Sequence, residues 1–226
     1  MSTFAFIFAR GGSKGLPGKN IKELGGLPLL AHGIRLARSM SSVERVFVST
    51  ECEEIAAAAK RFDAEVIIRP EALATDTASE WMAWQHAITY LRKERKLDFD
   101  IFLSLPATSP LRDGKDVQRC LDALDAQTDV VITVSPSARS PYFNMVSTDE
   151  QGYAHLVLGD ATFKRRQDVP AVYDITTVAY VSRPDFILTH ERLFEGRVRS
   201  VIVPKERAVD IDDEFDFKVA QALLES

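Results

Sequence analysis

Apolar runs of two different periods alternate along the first 135 residues. Residues 3–8 form a continuous β-prone apolar stretch suited to a buried strand. Residues 28–38 then place Leu29, Leu30, Ile34, Leu36 and Ala37 at helical spacing. A second strand is predicted over 45–49. Thr50-Glu51-Cys52-Glu53 after it has the pattern of a capping box, leading into a helix through 55–62. A short strand at 65–68 precedes Pro70, and 79–93 reads as a long amphipathic helix carrying Trp81, Trp84, Ala87, Ile88 and Leu91. Strand 100–105, helix 115–126 and strand 130–134 complete the alternation. This order predicts an α/β chain whose mostly parallel sheet has helices on both faces. Ligands of such sheets bind at the carboxyl ends of the strands. The loops after the first strand, at Ser49 and at Pro106 should therefore converge.

Beyond residue 135 the pattern changes. Residues 136–172 are polar and turn-rich, with strand-like 153–158 and 171–173, and predict an antiparallel excursion from the main sheet. Strands return at 177–181 and 198–203. A terminal helix over 213–224 begins with Asp213 and Glu214, which suit the positive end of the helix dipole. No repeat or linker interrupts the chain, so 1–226 reads as a single domain.

Composition narrows the partners. With 226 residues, 46% of them apolar, the chain can bury the core of one α/β domain. Its net charge of −5 argues against nucleic acid or an anionic membrane as partner. Basic loops in an acidic chain point instead to a small anionic ligand. Cys52 and Cys120 are far apart and make no metal-ligand cluster, and reduced thiols fit a cytoplasmic location. No apolar run reaches the roughly 18–20 residues of a membrane span, and no basic region precedes the first apolar run as in a signal peptide.

The candidate chemistry begins where the first strand ends. From Arg10 to Asn20 the loop holds glycines at 11, 12, 15 and 18 and fixed cations at Arg10, Lys14 and Lys19. Glycines let backbone N–H groups turn toward a ligand, and consecutive N–H groups form an anion-binding concavity. The arginine adds a planar fork and the lysines point charges. The loop has neither the Gly-x-Gly-x-x-Gly spacing of a dinucleotide fold nor the Gly-Lys-Ser/Thr ending of a P-loop. At the far end of the chain, Asp210 and Asp212 flank Ile211. In extended backbone such carboxylates face one side. Like charges that close are costly unless a cation joins them, and oxygen ligands of this kind suit Mg²⁺. His32, His86, His155 and His190 are scattered and form no nucleophile–base pairing.

Arg10-Gly11-Gly12-Ser13-Lys14-Gly15, with Pro17, Lys19 and Asn20 following, is very similar to the opening motif of the acylneuraminate cytidylyltransferases. The resemblance continues through Ser49-Thr50-Glu51, Arg69 and Asp76-Thr77-Ala78-Ser79. It extends through residues 105–112, the Arg165-Arg166-Gln167-Asp168 segment and the closing Asp210, Asp212, Asp216 and Phe217. It implies a Rossmann-like three-layer nucleotidyltransferase fold, with 137–175 as a small antiparallel dimerisation lobe and a homodimer as the assembly. The implied reaction joins CTP and an acidic 2-keto sugar into a CMP-sugar, with release of pyrophosphate. Ala9, Arg10, Gly11, Gly12, Ser13, Lys14, Lys19, Asn20, Arg69 and Ser79 are implied to bind the nucleotide. Arg10, Lys19 and either Arg165 or Arg166 are implied to act on the reacting phosphates or the sugar carboxylate, and Asp210 and Asp212 to hold Mg²⁺. Two departures fall on the sugar side: Pro106 stands where the family has glutamine, and Thr176-Thr177 where it commonly has Asn-Gly. They point away from ordinary N-acetylneuraminate and keep a second reading open, an enzyme for another acidic or phosphorylated sugar such as an octulosonate. A third reading, a non-catalytic nucleotide-binding module, has no use for the paired carboxylates.

Overall fold

The computed structural model describes residues 1–158, 163 and 165–225, and of Arg166 the backbone only. In chain order its elements are β1 (Thr3–Phe8), the two-residue strands β2 (Glu23–Leu24) and β3 (Leu27–Pro28), α1 (Leu29–Ser39), β4 (Arg45–Thr50) and α2 (Glu53–Arg61). Next come β5 (Glu65–Ile68), α3 (Glu80–Lys93), β6 (Ile101–Ser104), α4 (Gly114–Asp122), β7 (Val130–Pro136), β8 (Val146–Thr148) and β9 (Ala154–Leu156). The chain closes with β10 (Tyr173–Ser182), α5 (Pro184–Thr189), β11 (Val198–Ile202) and α6 (Glu214–Leu224). Seven strands form one sheet in the order β11-β7-β10-β6-β1-β4-β5. β10 runs antiparallel to both its neighbours, and the remaining pairings are parallel. Among the described residues no helix is long and apolar enough to cross a membrane.

The period-2 alternation of β1 builds both cores. Ala5 and Ile7 face α1, α2 and α4, packing with Leu30, Ile34, Ile55, Ala58, Val117 and Cys120. Phe4 and Phe6 face the other way, onto Trp81, Trp84, Ile88 and Leu91 of α3 and Ile187 of α5. Helices on both faces give the three-layer architecture expected from the strand–helix alternation. A third cluster joins the two ends of the chain: Leu16 of the glycine loop is buried with Ile211, Phe217 and Ala220. Burying Ile211 in this way brings the flanking Asp210 and Asp212 against the loop.

Two expectations need correction. Thr50 does not cap α2: it ends β4, and its Oγ1 accepts the Cys52 N–H at 3.1 Å, while Cys52 takes the N-cap position without a side-chain bond. The strand expected at 177–181 is the second half of the longer β10. The lobe at 137–175 carries the β8–β9 hairpin, a sheet of its own; residues 159–162 and 164 within it lie outside the described residues.

β10 also changes register against β7. Thr176 faces Thr133 and Tyr180 faces Ile132, so the residues between them bulge. The Thr133 hydroxyl occupies the gap, accepting from the Thr176 hydroxyl at 2.8 Å and the Ala179 N–H at 3.2 Å. Bulges commonly re-aim a side chain beside a site. Here Thr177 is turned into a cleft, while Thr176 is buried in the sheet.

Candidate active site

The loops after β1 and β6 meet at the carboxyl edge of the sheet and enclose a cleft of about 540 Å³. One wall comes from Arg10, Ser13, Lys14, Gly15, Lys19 and Asn20. Facing residues include Arg69, Asp76, Ser79 and Glu80, and the segments Pro106–Thr108 and Thr177, Asp210 and Asp212 close the end. The loop after β4 joins them through Glu51, whose Oε1 accepts the Gly11 N–H at 2.7 Å. The sequence expectation that these three loops converge is met.

Two glycines explain how the basic loop takes this shape. Gly18 has φ of +67°, a left-handed conformation in which side chains are strained. A Cβ at Gly15 would collide with the carbonyl oxygen of Asp212, so glycine there permits close approach of the two chain ends. Asn20 is buried, and its Nδ2 donates to the Arg10 carbonyl at 2.9 Å, fixing the backbone from which the Arg10 side chain departs.

Each loop cation has an acidic partner. Arg10 Nη1 is 2.7 Å from Asp76 Oδ1 and Lys14 Nζ is 2.6 Å from Asp76 Oδ2. Lys19, largely buried, donates at 2.9 Å both to the Ile211 carbonyl and to Asp212 Oδ1. Arg69 is also buried and donates from Nη2 to Glu51 Oε2 at 2.9 Å. Burial alone would raise the Glu51 pKa, but the Gly11 N–H and the Arg69 guanidinium hold it below the ordinary carboxylate range.

Asp210 and Glu80 behave in the opposite way. Burial raises the Asp210 pKa and the neighbouring Asp212 charge adds to it; the nearby Thr108 and Thr177 hydroxyls and Lys19 offset only part. Its Oδ1 is buried with no hydrogen-bond partner. Glu80 is reached by solvent through the cleft yet ringed by protein. That desolvation raises its pKa, the Trp84 N–H opposes the rise, and Asp210 adds to it. Burial and the charges of Glu80 and Asp210 push the Tyr180 phenol up to about 12.

Beneath the cleft lies Arg112, whose Nη2 donates to the Pro106 carbonyl and, at 3.3 Å, to that of Thr177. One buried guanidinium thus fastens the loop after β6 to the bulge of β10. Burial lowers its pKa to about 9 even though Asp210 opposes the fall.

Most of the residues singled out in the sequence fall on this cleft. Arg10, Ser13, Lys14, Lys19, Asn20, Arg69, Ser79, Asp210 and Asp212 all line it. Ser79 also caps α3, accepting the Trp81 N–H at 3.2 Å. Ala9, Gly11 and Gly12 do not line it: Ala9 is buried, with its N–H on the Ser49 carbonyl. Of the sugar-side departures, Pro106 and Thr177 line the cleft and Thr176 does not. Arg165 also stands off the cleft, its fork donating two 2.9 Å bonds to Asp168. The Arg166 side chain and Lys164 lie outside the described residues. The sequence reading quoted Asp76 and Arg112 only as parts of motifs and gave no role to them, to Glu80 or to Glu51 as a loop partner.

The sequence profile of the cytidylyltransferases matches residues 4–223. The chain belongs to the cytidylyltransferase family. Among curated relatives, post-translational flagellin modification protein B of Campylobacter coli is 33% identical over 220 residues, covering 96% of this chain and 93% of that protein. CMP-N,N'-diacetyllegionaminic acid synthase of Campylobacter jejuni is 30% identical with the same coverage. The fold matches that of CMP:2-keto-3-deoxy-manno-octonic acid synthetase complexed with CTP, at a TM-score of 0.73 and 18% identity over 100% of this chain and 99% of that one. As a cytidylyltransferase fold, the cleft sits at the strand edge where the alternating pattern placed it.

Proposed function

We propose that this enzyme transfers a cytidylyl group from CTP to an acidic nonulosonic sugar. The observation that carries the reading is the meeting of Arg10, Lys14 and Lys19 with Asp210 and Asp212 on one cleft. The anomeric hydroxyl attacks the α-phosphorus in line and gives up its proton to water, and the bond to the β-phosphate bridging oxygen breaks, releasing pyrophosphate. Such reactions ask of the protein mainly positioning and charge neutralisation. Arg10 and Lys14 hold the outer phosphates, and Lys19 the phosphate nearest Asp212. Arg69 and Ser79 line the nucleoside end. Support for CTP and a nonulosonic acid comes from the family and from the legionaminic relative.

The donor set fits Mg²⁺. Asp210 Oδ1 is buried without a partner, and Asp212 stands close enough to raise the Asp210 pKa. Mg²⁺ typically takes one or two carboxylates together with substrate phosphates. Asp210 and Asp212 would hold the cation, which when bound supplies charge neutralisation at the α-phosphate. Arg165 or Arg166 meets the sugar carboxylate; for Arg165 this requires leaving Asp168. We further read 1–226 as one catalytic domain acting in the cytoplasm as a homodimer. Apolar side chains exposed along 137–175, among them Phe143, Met145, Val146, Tyr153 and Leu158, support an interface there. Free Cys52 and Cys120 accord with a reducing compartment.

Pyrophosphate release with a panel of nucleoside triphosphates and acidic 2-keto sugars tests the reading. Turnover is expected with CTP, a nonulosonic acid and Mg²⁺ together. Turnover with UTP or GTP alone would sink the cytidine assignment, and none with any pair would favour a binding module. Lys19→Met should lower kcat/KM for CTP about a hundredfold, the loss typical of one preorganised charge-stabilising donor. An unchanged kcat/KM would remove Lys19 from the phosphate site.

A further inference from the structure

Asp76 bridges the cleft in a distinctive way. It lies on the segment before α3, yet both its oxygens are engaged across the cleft, Oδ1 by Arg10 and Oδ2 by Lys14. Asp76, Arg10 and Lys14 all line the same cavity. Two oxygens of one anion shared between these two cations is also the arrangement a phosphate group would adopt there. Lys19 is engaged elsewhere, with Asp212. The cations therefore divide into an inner one beside the paired aspartates and an outer pair on Asp76.

We propose that Asp76 is an internal competitor for the outer phosphates, which sets how tightly the site holds pyrophosphate and the triphosphate tail. A polyphosphate that uses Arg10 and Lys14 must displace Asp76, and its apparent affinity falls by the fraction of time the pairs are closed. A ligand with a single phosphate beside Lys19 does not meet this competition. Once the α-phosphate is transferred, Asp76 recaptures Arg10 and Lys14 as pyrophosphate departs. The competition is mild, because both pairs are solvent-exposed: Asp76 is 43% and Lys14 77% accessible. A deeply buried pair would shut the polyphosphate out, whereas an exposed one weakens its grip.

The inference rests on the polyphosphate reading of the loop, and calorimetry separates the two. Pyrophosphate with Mg²⁺ and CMP would be titrated into wild type, Asp76→Asn and Glu71→Gln. The last variant removes the same charge from the same segment, from a side chain that does not line the cleft. Asp76→Asn should bind pyrophosphate about 3- to 10-fold more tightly, the range expected from losing two exposed ion pairs, with KM for CTP falling in parallel. CMP affinity should stay at the wild-type value in all three proteins. Pyrophosphate binding that is unchanged or weaker in Asp76→Asn overturns the proposal and makes Asp76 a residue that orients the cations. Equal tightening in Glu71→Gln overturns it in favour of bulk charge. A wild type that neither turns over CTP nor binds pyrophosphate refutes the underlying reading, and the proposal with it.

Discussion

Asp210→Asn is expected to abolish turnover while making the protein more heat-stable. The catalytic half follows from the donor set. An amide keeps the shape of the side chain but loses the charge with which, on the proposed reading, Asp210 would hold a divalent cation. Charge stabilisation by a bound cation contributes several kcal/mol to such transition states, so a loss of about a thousandfold in kcat is expected. The stability half follows from the surroundings. Asp210 carries its charge against burial and against Asp212, and its Oδ1 lacks a hydrogen bond. Asparagine removes the repulsion at no cost in volume, and the Thr108 and Thr177 hydroxyls remain nearby. About 1 kcal/mol gained in a chain of this size moves Tm by about 2–4 °C. The comparison is a thermal melt of both proteins in chelator, beside steady-state pyrophosphate release. A lower Tm in the variant would show that Asp210 is structurally required, and retained metal-dependent activity would remove it from the metal site. Functional sites commonly trade stability for activity in this way.

The basic glycine loop and the layer order were legible because they rest on local rules. Parallel strands buried on both faces read as apolar runs, and the helices between them declare their period. Four glycines and three cations within eleven residues are hard to reconcile with a plain turn. What stayed hidden depends on contacts made at long range. Asp76 sits 66 residues from Arg10 in an exposed turn, and no local pattern distinguishes a carboxylate that pairs across a cleft from one in water. Glu51 looked like part of a cap because its neighbours have capping chemistry, but its carboxylate is drawn to the Gly11 N–H and Arg69. Thr176 and Thr177 were indistinguishable until the β10 bulge sent one into the sheet and the other into the cleft. Asp216 appeared to extend the acidic site motif. Its side chain instead accepts the Asp213 N–H, completing the capping box of α6, so its work is to start the helix behind Asp212.

The largest stability effect is expected far from any substrate, at Asp116 on α4. Its carboxylate is 1% exposed and lies 2.7 Å from both Arg119 and Arg207. Burial would raise its pKa, but the bonds from Arg207 and Arg119 more than offset this and hold it below the ordinary value. Arg207 lies three residues before Asp210, so the pair ties the segment bearing the paired aspartates to the helix layer. Asp116→Ala leaves Arg207 facing a cavity without its counter-ion. Removing one member of a fully buried pair typically costs about 3–5 kcal/mol, but Arg119 and Arg207 are 50% and 35% accessible and take up water, so the loss should be smaller, about 1–3 kcal/mol by urea denaturation. Activity should fall as well, because the Asp210 segment loses its anchor. The sign of the pH effect follows from the depressed pKa. Asp116 contributes its stability above the unfolded carboxylate value near 3.8, and the contribution is lost as pH falls through the lower folded value. The gap between wild type and Asp116→Ala should therefore be full at neutral pH and close in strong acid. A gap that persists undiminished below both values would mean the loss comes from packing, and a variant as stable as wild type at neutral pH would show that the bridge does not hold this segment.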